Sequence, residues 1–260
     1  MVSIIFLTST EYLKRKKALH PKNSEKITPT LTVYLFKIKC MKLLIRCLVF
    51  LTLITISGTA ISQPFINEIK AFRKADSIKA PAKDAILLIG SSSFTNWKDV
   101  SSYFPGKTII NRGFGGSSLP HIIMYAEDVI FKYNPKQILI YCGENDLTGG
   151  PSITADTVFE RLKTLYTLIR SRYKKVPIAY ISMKPSPSRE KYLETMQKGN
   201  ELIKLFMEKQ KKADYIDVYH SMYDADGKIL TNIFLSDKLH MNAAGYKIWQ
   251  GIIAPYLVTN

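Results

Sequence analysis

Three consecutive serines end the stretch AILLIGSSSFTNW, residues 85–97, directly after an apolar run and Gly90. A serine hydroxyl becomes a useful nucleophile only when a base takes its proton, so attack on a carbonyl carbon would require a histidine within reach. The chain has four histidines, at 20, 121, 220 and 240. His240 follows Asp237 by three residues in the turn-rich segment SDKLHMNAAGY, residues 236–246. That spacing lets one short loop present a carboxylate that fixes the imidazole tautomer and stabilises its charged form. Asp-x-x-His pairs also arise by chance, and His121 and His220 read equally well as packing or surface residues.

Acyl transfer further needs donors for the oxyanion that develops on the carbonyl oxygen. Two segments offer them. In NRGFGGSS, residues 111–118, the glycines let backbone N–H groups approach a ligand, although a tight strand-to-helix turn uses the same residues. The segment lacks the last glycine of a G-x-G-x-x-G phosphate loop. In GENDLTGG, residues 143–150, Asn145 brings a side-chain amide, in a position that also suits an ordinary turn asparagine. Cys142 lies inside an apolar run and reads as a small buried hydrophobe. A G-x-S-x-G nucleophile elbow is absent, since position 94 is Phe.

The elements that would position these residues follow from periodicity. Short apolar runs at 85–90, 108–111, 137–143, 177–182 and 214–218 read as five buried strands. Longer stretches with apolar residues three and four apart, at 117–132, 154–173, 189–211 and 242–253, read as helices. This alternation predicts an α/β domain of three layers, a five-stranded parallel sheet covered on both faces. Sites in such domains lie at the carboxyl ends of the strands, where all four segments fall.

Taken together, the four segments resemble the SGNH, or GDSL-like, hydrolases, whose blocks contribute Ser, Gly, Asn and His in that order. GSSS, NRGFGG and YCGENDL look most like members close to the platelet-activating-factor acetylhydrolase type. The resemblance spans nearly all of residues 84–256. It implies the flavodoxin-like SGNH fold and a catalytic triad of Ser92, His240 and Asp237. By the same resemblance the backbone N–H groups of Ser92 and Gly116 and the Asn145 amide form the oxyanion hole. The implied activity is hydrolysis of carboxylic esters, acetyl or short acyl groups on a glycan, a lipid or a small molecule, with no metal or organic cofactor. The departure is Ser91, which stands where the family has the aspartate of Gly-Asp-Ser; that aspartate is not the triad acid. A non-catalytic binding protein of the same fold is the alternative, although no catalytic position is missing.

The net charge of +16 divides unevenly: half lies within the first 62 residues, and the rest is scattered. A solvated basic surface is expected, with no nucleic-acid partner. Met41 opens a second N-terminus. Lys42 and Arg46 precede an apolar run at 48–56, and Ala60 and Ser62 carry small side chains at the positions a signal peptidase reads. The run falls short of the about 20 residues a membrane span needs. Residues 1–40 are expected to be a disordered leader from a mis-assigned upstream start, 41–62 a signal peptide, and 63–260 the hydrolase domain, periplasmic or extracellular. No stable membrane span is expected after cleavage, and the oligomeric state is not legible. The mature part keeps one cysteine, Cys142, so no intrachain disulfide is available to it. Expressed from Met41 in a Gram-negative host, the protein should be exported and begin at Gln63. N-terminal sequencing that finds residues 41–62 still attached overturns the signal-peptide expectation.

Overall fold

The computed structural model describes residues 33–34, 36–46 and 63–259. The chain divides into two units, Met1–Ile61 and Ser62–Asn260. Of the first, the described residues are helical, including 41–46 of the expected signal segment. The apolar run at 48–56 and the cleavage residues at 60–62 lie outside the described residues. Among the described residues no helix is long and apolar enough to cross a membrane.

The second unit begins with helix α1 (Ile66–Ile78) and strand β1 (Ala85–Gly90). Two single-turn helices follow, α2 (Ser92–Thr95) and α3 (Val100–Tyr103), and then β2 (Ile109–Gly113) and α4 (Leu119–Met124). The rest alternates as β3 (Pro135–Tyr141), α5 (Ala155–Arg172), β4 (Ile178–Ile181), α6 (Leu193–Glu208), β5 (Ala213–Ile216) and α7 (Ala243–Ile253). The sheet order is β2-β1-β3-β4-β5 and every pairing is parallel. The five expected strands and the parallel α/β architecture are therefore present.

Why these runs form strands is visible in their two faces. Leu87 and Ile89 of β1 join Ile138 and Ile140 of β3 in one apolar cluster with Leu119, Val158, Leu162, Met196 and Ile203. Ile86 and Leu88 join Leu139, Ala179 and Ile216 in the other, against Phe94, Trp97, Tyr246 and Trp249. Alternate residues thus bury on opposite faces, which is why β1 and the Ile138–Tyr141 part of β3 read as continuous apolar runs.

Differences from expectation lie at element ends and in the edge strands, since β2 and β5 are only partly buried. The helix expected over 117–132 is split into α4 and one π-turn, Glu127–Phe131, separated at Tyr125 (φ −104°). The stretch from 189 starts as a 3₁₀ turn, Pro187–Tyr192, interrupted at Arg189 (φ −117°) before α6 begins. β3 stops at Tyr141 because Gly143, at φ +133°, turns the chain. β5 stops at Ile216 because the Asp217 carboxylate accepts the N–H groups of Tyr219 and His220.

α1 was not legible in the periodicity. It is fastened through Asp76, whose buried carboxylate meets Arg112 at 2.5 Å and Lys132 at 2.9 Å and accepts a hydrogen bond from Tyr133 Oη at 2.9 Å. Removing one member of such a group leaves its partners uncompensated, which costs about 3 kcal/mol. Asp76→Ala should lower the urea unfolding free energy by about that much. A loss below about 1 kcal/mol would show that α1 is held by its apolar contacts instead.

Candidate active site

The serine turn is built on Gly90. This residue lies between β2 and β3, paired with Gly113 and Tyr141, and a Cβ on it would collide with the Tyr141 carbonyl. Its own carbonyl accepts Phe114 N–H at 2.9 Å and Ser117 Oγ at 3.1 Å. Ser91 then caps α2 in an extended conformation, its carbonyl accepting from Phe94 and Thr95 N–H. Ser91 and Ser93 are buried, whereas Ser92 is half-exposed. Of the three serines, only Ser92 keeps appreciable exposed surface.

The glycine loop adjoins this turn. Gly115 sits beside the serine, where a Cβ would lie 3.9 Å from Ser92 Cβ. The next peptide carries the Gly116 N–H, and Gly116 takes φ +80°, with Phe65 on its far side. Neither the Ser92 N–H nor the Gly116 N–H meets an acceptor among the described residues. Asn145 donates one Nδ2 hydrogen to the Ser117 carbonyl at 3.0 Å, which orients the amide and leaves its second N–H uncommitted. The adjacent Asp146 is structural. Its buried carboxylate accepts Leu119 N–H at 3.0 Å and pairs with Arg161 at 2.8 Å, and burial pushes its pKa up despite both.

Asp237 and His240 form the expected dyad. Nδ1 of His240 lies 2.6 Å from Asp237 Oδ2, while Oδ1 accepts the Leu239 and His240 N–H groups, each at 2.9 Å. α7, which follows this loop, is tied to the serine turn. Tyr246 Oη donates to the Ser93 carbonyl at 2.9 Å, and its ring stacks on Trp97 at 4.8 Å. These ties had no signal in the sequence beyond the presence of Tyr246 in the quoted segment.

The other two described histidines are placed differently. His121 Nδ1 accepts Ser118 N–H in a capping box on α4, its ring against Phe65, and burial holds its pKa down. His220 repeats the dyad with Asp217, Nδ1 to Oδ2 2.7 Å, and lines a cleft of about 290 Å³ beside α6. No serine lines that cleft. Cys142 is buried and its thiol pKa is raised by that burial, in keeping with a packing role.

Residues 76–248 match the model of the GDSL-like Lipase/Acylhydrolase family. The chain belongs to this family. Its members are ester hydrolases, and solved structures share the fold. The candidate platelet activating factor of Streptococcus pneumonia is 21% identical, with a TM-score of 0.65 over 74% of this chain and 92% of that one. A GDSL-like lipase of Bacteroides thetaiotaomicron is 18% identical, TM-score 0.60, over 72% and 96%. A catalytic mutant of an acetylxylan esterase of Geobacillus stearothermophilus is 13% identical, TM-score 0.53, over 69% and 100%. A search of curated proteins found no match to the chain.

The His240 imidazole, followed by the His240 and Leu239 N–H groups, holds the Asp237 carboxyl at about 2, below its ordinary value of 3.8. The carboxylate is therefore charged throughout the range in which a histidine base works. An unfolded chain would titrate Asp237 near 3.8, so these hydrogen bonds favour the fold above about pH 4 and are lost as pH falls through 2. In a carboxyl ¹³C titration Asp237 should show a midpoint near 2, moving up toward 3.8 in His240→Ala. An unchanged midpoint in that variant would mean that the imidazole is not the main cause.

Proposed function

We propose that this chain is a secreted or periplasmic serine esterase that removes acetyl or short acyl groups from a glycan, a lipid or a small molecule. The observation that carries the reading is a half-buried Ser92 with Gly115 against its Cβ, on a turn linked by hydrogen bonds through Ser117 to Asn145. The Ser92 N–H, the Gly116 N–H and one Asn145 N–H have no acceptor among the described residues. Donors left without protein acceptors beside a nucleophile suit a charge that exists only during reaction. Membership of an ester-hydrolase family supports the chemistry. The acetylxylan esterase among similar folds makes acetylated glycan a reasonable first substrate to try.

The reaction runs in two halves. Ser92 Oγ attacks the ester carbonyl carbon while His240 Nε2 takes its proton, and Asp237, still ionised, stabilises the imidazolium. The carbonyl π electrons move onto oxygen, where the three donors hold the oxyanion. Collapse re-forms the carbonyl and breaks the bond to the alcohol oxygen, which leaves with the proton from Nε2. Water then attacks the acyl-enzyme with His240 again as base, and collapse releases the carboxylic acid and regenerates Ser92.

On a panel of p-nitrophenyl esters of increasing chain length, beside acetylated xylan, Ser92→Ala and His240→Ala should abolish turnover while remaining folded. His121→Ala and His220→Ala should not match that loss. Asn145→Ala should lower kcat by about 10²–10³, roughly 3–4 kcal/mol of transition-state stabilisation, with a much smaller change in KM. Asn145→Asp should be worse, since a carboxylate repels the oxyanion. A near-normal kcat in Asn145→Ala beside an inactive Ser92→Ala would leave a serine hydrolase with a different oxyanion hole.

A further inference from the structure

The loop after β4, residues 182–189, holds a charged group that the proposed reaction does not use. Lys184 is 1% exposed, and its backbone N–H and its ammonium each lie 3.3 Å from a different oxygen of the Glu144 carboxylate, itself 9% exposed. Burying two charges costs desolvation that two apolar side chains of similar size would avoid, so this pair is a poor choice if stability were its sole purpose.

Its position suggests another purpose. Glu144 is the residue before Asn145, and the β4 end grips this turn at three successive points. Tyr180 Oη donates to the Cys142 carbonyl at 2.8 Å. Met183 packs on Gly143, where a Cβ would come within 2.8 Å of its sulfur, and Met183 is itself clamped through both backbone groups by Asn200 at 2.9 Å. Lys184 then takes Glu144. On its other side the Lys184 ammonium lies 5.7 Å from the centre of the Phe234 ring. Phe234 bridges to Met241, and Leu235 N–H donates to the His240 carbonyl at 2.7 Å. Ser188 N–H donates to the Lys238 carbonyl at 3.1 Å, inside the Asp237–His240 loop.

We propose that Lys184 and Glu144 are positioning residues: a buried charged clamp that sets the Asn145 amide relative to the His240 loop. It rests on the esterase reading. The charges fix direction as well as separation, because Glu144 must offer one oxygen to a backbone N–H and the other to the ammonium.

The test uses p-nitrophenyl acetate with Glu144→Asp, which keeps the charge but shortens the arm, and the double variant Lys184→Met/Glu144→Gln, which leaves no buried charge unpaired. Thermal melts establish folding. The clamp predicts that both lose about 10- to 100-fold in kcat, as expected for a small misplacement of a reacting group, with KM within about twofold of wild type. In an Asn145→Ala background, Glu144→Asp should cost little more, because the residue it positions is gone. Folded variants with near-normal kcat overturn the clamp, as does a loss appearing in KM alone or a full additive loss on Asn145→Ala. Should the double variant not fold, Glu144→Asp and its cycle decide the matter. An inactive wild type overturns the esterase reading and the clamp with it, whereas an active wild type with unaffected variants counts against the clamp alone.

Discussion

The positions of Ser92, the glycine loop and Asn145 depend on the close approach of β1 to β3 at Gly90. A side chain there would occupy the space of the Tyr141 carbonyl, so the strand pair could not keep its register to the end. Because register holds, the Ser91 N–H still reaches Tyr141 O at 3.1 Å, and the chain turns directly into α2 with Ser92 at its first position. The Gly90 carbonyl accepts Phe114 N–H, which continues the β1–β2 pairing, and also Ser117 Oγ. Ser117 in turn offers its carbonyl to Asn145. One missing Cβ thus links the serine, the glycine loop and the asparagine through consecutive hydrogen bonds.

What this chain of bonds accomplishes is preorganisation. A donor that must rotate into place during reaction loses part of its value, whereas an amide already held through one hydrogen can present the other at no further cost. Asn145 is held in this way. Backbone N–H groups need no such restraint, since the turns that carry them are fixed by their own carbonyls and by buried neighbours. Ser91 and Ser93 belong to that restraint. The Ser93 carbonyl anchors Tyr246 and with it the helix that follows the His240 loop, so the Ser92 turn and the His240 loop share one support.

Most of the sheet was legible because its signal is local. Strands buried on both faces read as apolar runs, and β1 satisfies this along its length while β3 does so from Ile138 to Tyr141. The site segments were legible for a different reason: strand ends in a parallel sheet are where side chains are free to do something other than pack. The illegible parts depend on partners distant in sequence. α1 buries just Ile69 and Asp76, and Asp76 finds its partners at 112, 132 and 133. Likewise Lys184 looks like a surface lysine after a strand until Glu144, 40 residues earlier, is placed against it.

The two Asp-x-x-His pairs show where sequence spacing stops being informative. Asp217 with His220 and Asp237 with His240 make the same carboxylate–imidazole contact, at 2.7 and 2.6 Å, and each carboxylate also accepts the histidine's own backbone N–H. The geometry is a property of the four-residue turn, which this chain forms twice. A dyad is therefore inexpensive, and its presence alone says little about catalysis. His220 is 78% exposed beside a cleft lined by α6, whereas His240 is 24% exposed on a loop braced by Phe234, Met241 and the β4 loop. What favours His240 over His220 as the proposed base is the support behind it, because a restrained imidazole keeps the alignment that proton transfer from a serine demands.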